Sequence, residues 1–260
     1  FRTLHQRALR ILSFTDTSDH AEPGEAEEAG ALNALSDLEI VSLGHDLAAG
    51  QLADWLETGL PADGDDGTRP LGVDVVGVLR PVEGDAVLVS LSDGSRAVVI
   101  DLTEILPEDE AVLARLLSDV ERPKLVADAK GSWHALSARG LTLDGVVADP
   151  SLAGYLCRPE QRSYDVDTLT QRWLGIDLAS VNENGARGDG GPGESQSAFD
   201  LEALTSEAVP ASHLASARRA AALLPLQAVL DEQMAARDVT GLFTDLEMPV
   251  AATLTVMENA

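Results

Sequence analysis

One aspartate stands alone inside an apolar run. Residues 71–80 read Leu-Gly-Val-Asp-Val-Val-Gly-Val-Leu-Arg, and the β-branched side chains around Asp74 call for a buried strand. A carboxylate there needs a reason, because burying it without a partner is costly. One reason is a hard divalent cation, which takes several oxygen ligands in near-octahedral geometry. A second carboxylate two residues on would share the strand face with Asp74, but that position is Val76. The plainer alternative for Asp74 is a strand residue meeting water or a backbone donor at a sheet edge. Asp128 and Asp149 are the carboxylates that could rebuild a site with it. Asp149 stands before Pro150 at a helix start, where N-capping explains it better. His134, next to Trp133, reads as packing or surface rather than as a general base. Five scattered histidines and one cysteine, Cys157, give no zinc spacing. Gly188 to Gly193 has no strand before it and no Gly-Lys-Ser/Thr after it, so it is no phosphate loop.

The elements that must position these residues follow from periodicity and punctuation. Three apolar runs, 71–79, 86–91 and 97–102, form a strand meander, with Asp93-Gly94 as a hairpin turn. A helix starts at Pro107, with Glu108, Asp109 and Glu110 in the first turn, where the helix dipole favours acids. Its expected buried stripe is Val112, Leu113, Leu116, Leu117 and Val120. A strand at 124–127, a helix near 131–139, a strand at 145–148 and a helix from Pro150 to about Cys157 follow. The order β-β-β-α-β-α-β-α predicts an α/β fold. Its mixed sheet has three antiparallel strands extended by parallel ones, with flanking helices. Residues 1–14 and 47–60 read as helices, and 61–70 as a loop. Residues 15–35 read as an acidic flexible linker, and 179–198 as a mobile surface loop. The Ala-rich segment 211–237 is a packing helix with Leu214, Ala217, Ala221, Leu224 and Ala228 on one face. A last helix from about Thr244 carries Leu246, Val250, Leu254 and Met257 on a face with no evident partner in this chain.

Composition narrows the function classes. The chain has 260 residues, 45% of them hydrophobic, enough for a packed core. No apolar stretch reaches the ~18–20 residues a membrane helix needs, and no secretory pattern is present. A single cysteine fits a reducing compartment, so a cytoplasmic, monomeric protein is expected. Forty-four acidic against 18 basic residues give a net charge of −26. A surface so acidic should repel nucleic acid, whose binders neutralise phosphates with basic side chains.

Two segments resemble the bacterial DNA polymerase I family. The first runs Asp149-Pro-Ser-Leu-Ala-Gly-Tyr155-Leu156, then Arg158-Pro159, Ser163-Tyr-Asp-Val-Asp-Thr-Leu169 and Arg172-Trp-Leu-Gly175. That family has an Asp followed by a helix ending Tyr-Leu, a Pro-containing turn, an Asp-Leu-Asp-x-Leu stretch and Arg-Tyr-Leu-Gly. The second runs Asp245-Leu-Glu-Met-Pro-Val250 to Met257-Glu-Asn-Ala260, similar to the helix that opens the family's polymerase domain. The first residues are similar to the close of its 5′-nuclease region.

The resemblance implies a fragment with four parts. Residues 1–14 would end the 5′-nuclease region and 15–35 would be the linker. Residues 36–237 would be a ribonuclease-H-like 3′–5′ exonuclease-like domain, and 238–260 the start of the polymerase domain. Active members of the family hold two metal ions with four carboxylates. The first of these matches Asp74 and the second Val76. The third falls at about Ser132, with Asp128 four residues earlier, and the fourth near Leu214 to Arg218, with Arg218 at or beside the acidic position. Two-metal phosphodiester cleavage needs two ions ~4 Å apart, which a lone Asp cannot hold. The resemblance therefore implies a catalytically inactive module without proofreading, with no metal or cofactor of its own. The parent would be a magnesium-dependent DNA polymerase of replication and repair. DNA would be met through that parent, and the partners would be the neighbouring domains of the same chain. The alternatives are an active metal-dependent 3′–5′ exonuclease with substituted ligands and a stand-alone ribonuclease-H-like interaction domain.

Overall fold

The computed structural model describes residues 25–60, 69–181 and 209–258. Its elements run α1 (Glu25–Ser36), β1 (Glu39–Ser42), α2 (Leu52–Gly59), β2 (Leu71–Val78), β3 (Asp85–Ser92), β4 (Arg96–Asp101), α3 (Pro107–Ser118) and β5 (Lys124–Val126). Then come α4 (Ala129–Ala138), β6 (Val146–Ala148), α5 (Pro150–Cys157), α6 (Val166–Trp173) and α7 (Ala211–Ala236). A continuous helical run closes the chain: α8 (Thr240–Leu242), a π-helical turn (Phe243–Glu247) and α9 (Met248–Glu258).

The sheet order is β1-β4-β3-β2-β5-β6. The meander β2-β3-β4 is antiparallel, and β5 and β6 extend it in parallel beyond β2. This is the mixed α/β sheet the sequence predicts, with one strand more. The extra strand, β1, pairs in parallel with β4, and Glu39 there meets Arg96 at 3.1 Å. Four residues carry too little pattern to announce a strand. The hairpin turns where expected: Gly94 has φ +96°, and Asp93 Oδ1 accepts from the Ser95 and Arg96 amides.

Alternation along the strands sorts the core into two layers. Val98 and Ile100 of β4 join Val73, Val75, Leu113, Leu117 and Leu136 under α3 and α4. Ala97 and Val99, on the other face, meet Ala217 of α7. Farther along α7, Leu223, Leu226 and Leu230 pack with Leu169 and Trp173 of α6. The face toward α7 is built from small residues on both sides, so helix and sheet come close. A Cβ on Gly72 would fall 1.9 Å from the Ala220 carbonyl oxygen. Gly72→Ala is therefore expected to lower the unfolding free energy by about 2–3 kcal/mol. Urea denaturation measures this, and an unchanged midpoint would mean that α7 can retreat without cost.

Three expectations need correction. Residues 25–35 are not linker but the helix α1, whose Leu35 is buried in the second core layer. Ala, Leu and Glu are strong helix formers, and they outweigh the acidic repulsion that suggested a coil. On α3, Val120 lies beyond the helix end and is exposed, while the acidic Asp109 is buried. Its carboxylate accepts from the Gly50 and Leu52 amides at 2.6 and 3.2 Å, fixing the start of α2. On α7, Ala217 and Ala221 are buried but Ala228 is exposed, because the helix buries a broad face that also includes Ala220, Ala222 and Leu223. In the closing run, Phe243, Ala251 and Thr255 are the residues that face the domain. Leu246, Val250, Leu254 and Met257 remain 40–67% exposed. That apolar face thus stays uncovered as expected, while Glu258 at the helix end reaches Lys130 Nζ at 2.6 Å and His134 Nε2 at 2.9 Å, both on α4. The predicted helix 1–14, residues 15–24 of the linker, residues 61–68 of the loop and residues 182–198 of the second loop lie outside the described residues. No helix among the described residues is long and apolar enough to cross a membrane.

Candidate functional site

A cleft of about 790 Å³ opens beside β2. Asp74, Val76, Asp128, Asp149, Asp167 and Arg219 line it, and Val250 and Leu254 of α9 form one wall. Asp74 and Val76 stand on one face of β2, as their spacing requires, next to a bulge at Val76/Gly77 in the ladder with β3. β2 is an interior strand, so the sheet-edge reading of Asp74 is wrong.

The partners of Asp74 come from α7. Ser216 Oγ donates to Asp74 Oδ2 at 2.7 Å, and Ser216 and Ser90 share a second buried bond at 2.7 Å. Arg219 Nε stands 3.3 Å from each Asp74 oxygen, and its Nη1 is 3.9 Å from Asp167 Oδ2. Burial pushes the Asp74 carboxyl up from its ordinary value, and Arg219 and Ser216 pull it back. The arginine that meets Asp74 is thus Arg219 rather than Arg218. One residue is 100° of helical turn, enough to take Arg218 out of the cleft lining, and its Nε is buried without a hydrogen-bond partner.

The other candidates are engaged in structure. Asp149 is buried, and its carboxylate accepts from four amides: Asp128, Ser151 and Leu152 on Oδ1 and Ala129 on Oδ2. One side chain thus caps both α4 and α5. Burial raises its pKa to about 6, against the pull of the Ala129 and Ser151 amides. Asp128 adopts a left-handed conformation (φ 48°) and caps the Gly131 amide at 3.1 Å. Ser132 is fully buried, its Oγ has no hydrogen-bond partner, and it does not line the cleft. His134 is buried, and its Nε2 lies 2.9 Å from Glu258 Oε2. Among the described residues, no three His, Cys, Asp or Glu side chains converge as a metal site. The described residues therefore do not fit a two-metal centre.

Sequence reasoning missed Ser216, Asp167 and the exact arginine. A Ser three residues before an Arg on a helix that crosses an Asp-bearing strand was the available signal, but the crossing point is visible only in three dimensions.

The six-stranded mixed sheet, with helices on both faces and the cleft at β2, is that of the ribonuclease-H-like exonucleases. Brucella melitensis NrnC shares the fold, at a TM-score of 0.51 and 17% identity over 85% of this chain and 92% of that one. Residues 81–183 match the model of the DNA polymerase I ribonuclease H-like domain. DNA polymerase I of Mycobacterium tuberculosis is 36% identical over 217 residues, 82% of this chain. The Mycobacterium smegmatis Pol1 structure, a POL domain in complex with DNA primer-template and dNTP, superposes at a TM-score of 0.61 with 32% identity, covering 81% of this chain and 31% of that one. The chain belongs to the DNA polymerase I family, of which it carries the exonuclease-like domain. It spans 22% of the length of the mycobacterial relative.

Proposed function

We propose that this chain is a non-catalytic exonuclease-like module of a DNA polymerase I. Its parent is a magnesium-dependent polymerase that synthesises DNA in repair and replication in the cytoplasm, acting as a monomer. The module spaces and supports the neighbouring polymerase and 5′-nuclease domains and does not proofread. The observation that carries this reading is the state of the cleft. The one surviving carboxylate, Asp74, is taken by Arg219 and Ser216. The next ligand position is Val76, and the third, Ser132, is buried outside the cleft. A guanidinium beside Asp74 repels a divalent ion from that carboxylate. Asp128 and Asp149 cannot replace the missing ligands without uncapping helices. Among the described residues, no cluster of three His, Cys, Asp or Glu side chains supports the reading with substituted ligands.

The test uses a 3′-labelled single strand with magnesium or manganese. The 260-residue chain should leave the strand intact at levels where a four-carboxylate relative degrades it. Calorimetric titration with manganese should show no binding tighter than millimolar. Loss of label that disappears in Asp74→Asn would overturn the proposal.

A further inference from the structure

We propose that the Arg219 guanidinium acts as a built-in cation in the cleft, taking the electrostatic place of a divalent ion and tying α6 and α7 to β2. This deepens the inactive reading and rests on it. Asp74 lies on an interior strand with a side chain 11% exposed, so it must be protonated or meet a positive charge. Arg219 supplies that charge in the manner of a bridging ion. It addresses both oxygens of Asp74 on β2 at 3.3 Å and reaches Asp167 on α6 at 3.9 Å. Three protein elements therefore meet at one cation. Ser216 adds a neutral donor to Asp74, and Ser90 holds Ser216 in place.

The replacement differs from a metal in ways that matter. Arginine stays charged at any physiological pH, and its donors form a planar fork. A tethered cation also cannot be removed by a chelator. Its contacts are longer than the ~2.1 Å of a magnesium–oxygen bond, so it does not polarise a phosphodiester as a bound ion would. The cleft retains the electrostatic architecture of a metal site without its reactivity. Arg218 cannot do the same work, since it does not line the cleft.

The experiment compares thermal melting of the 260-residue wild type with Arg219→Met, Arg219→Lys and the double variant Asp74→Asn/Arg219→Met. Each is measured at neutral pH in EDTA and in millimolar manganese. The wild type should melt at the same temperature in both. Arg219→Met, which keeps the volume but not the charge, should melt about 5–10 °C lower in EDTA and regain part of that loss in manganese. Arg219→Lys should stay close to the wild type and ignore manganese. The double variant should recover most of the loss and also ignore manganese, because no charge is left to neutralise. It also serves if Arg219→Met alone does not fold. The inference is overturned if Arg219→Met melts like the wild type, if Asp74→Asn fails to rescue it, or if manganese brings no recovery. A wild type that degrades the labelled strand defeats the inactive reading by a separate readout.

Discussion

Asp149→Ala should lower the unfolding free energy by about 3–5 kcal/mol, one of the two largest effects expected for any single substitution in this chain. The carboxylate is buried and accepts from amides at the start of two helices, α4 and α5. Loss of one cap costs about 1–2 kcal/mol, and here two caps go together. The freed amides lie where water has little access, and each dry donor adds about 1–3 kcal/mol. Asp149→Asn should be milder, since one oxygen remains for the Oδ1 set while the amide nitrogen confronts the Ala129 N–H. Guanidinium denaturation gives the magnitude. Amide exchange should quicken at Ala129, Ser151 and Leu152 before the strands. A loss below about 1 kcal/mol for the alanine variant would show that the two caps are not shared through this side chain.

Lys124→Met should cost a comparable amount, roughly 3 kcal/mol. Lys124 is fully buried on β5, and its ammonium donates to the Asp119, Arg122 and Asp144 carbonyls at 2.7, 2.9 and 2.9 Å. Three donors meet three acceptors, and removing the ammonium leaves those carbonyls without their donor. The charge itself is held at a cost. Burial lowers the lysine pKa from 10.5 to about 8, with Asp119 and Asp144 opposing. The unfolded chain therefore binds the proton more tightly between about pH 8 and 10.5, and this group makes the wild type more stable as pH rises through that window. Lys124→Met should lack that increment, so the gap between the two proteins widens with pH. A gap that is constant or narrows from pH 8 to 10.5 would contradict the assignment.

How much could be read in advance depended on how local each feature is. The meander, the turn at Asp93-Gly94 and the Pro-initiated helices at Pro107 and Pro150 are announced by residues that act on their own backbone. The strand β1 is not, because its partner β4 lies more than fifty residues away and supplies its reason to exist. The cleft was half legible. Asp74, Val76 and Ser132 follow from counting along matched motifs, and the capping role of Asp149 follows from Pro150. The identity of the cation could not follow. Arg218 and Arg219 are equivalent in a string, and only the crossing of α7 over β2 at Gly72 decides which one faces Asp74. Lys124 was missed for a similar reason: a lysine in an apolar strand looks like an exposed residue until the three carbonyls around it are seen.

Helix α7 also bears on the order in which the molecule can assemble. It packs on β1 to β5 and on α1, α5 and α6, and it contributes to two of the core clusters. It also follows every described strand in the sequence. During synthesis, every strand leaves the ribosome before the helix that covers one side of the sheet exists. Until Ala236 has emerged, the sheet offers a bare apolar face and Asp74 has no counter-charge. The sheet's stable structure should therefore arrive only after α7, and nearly all at once, with slow, long-range closure as the governing step. A nascent chain halted before residue 211 should be protease-sensitive and prone to aggregate, and one halted after Ala236 and clear of the exit tunnel should be resistant.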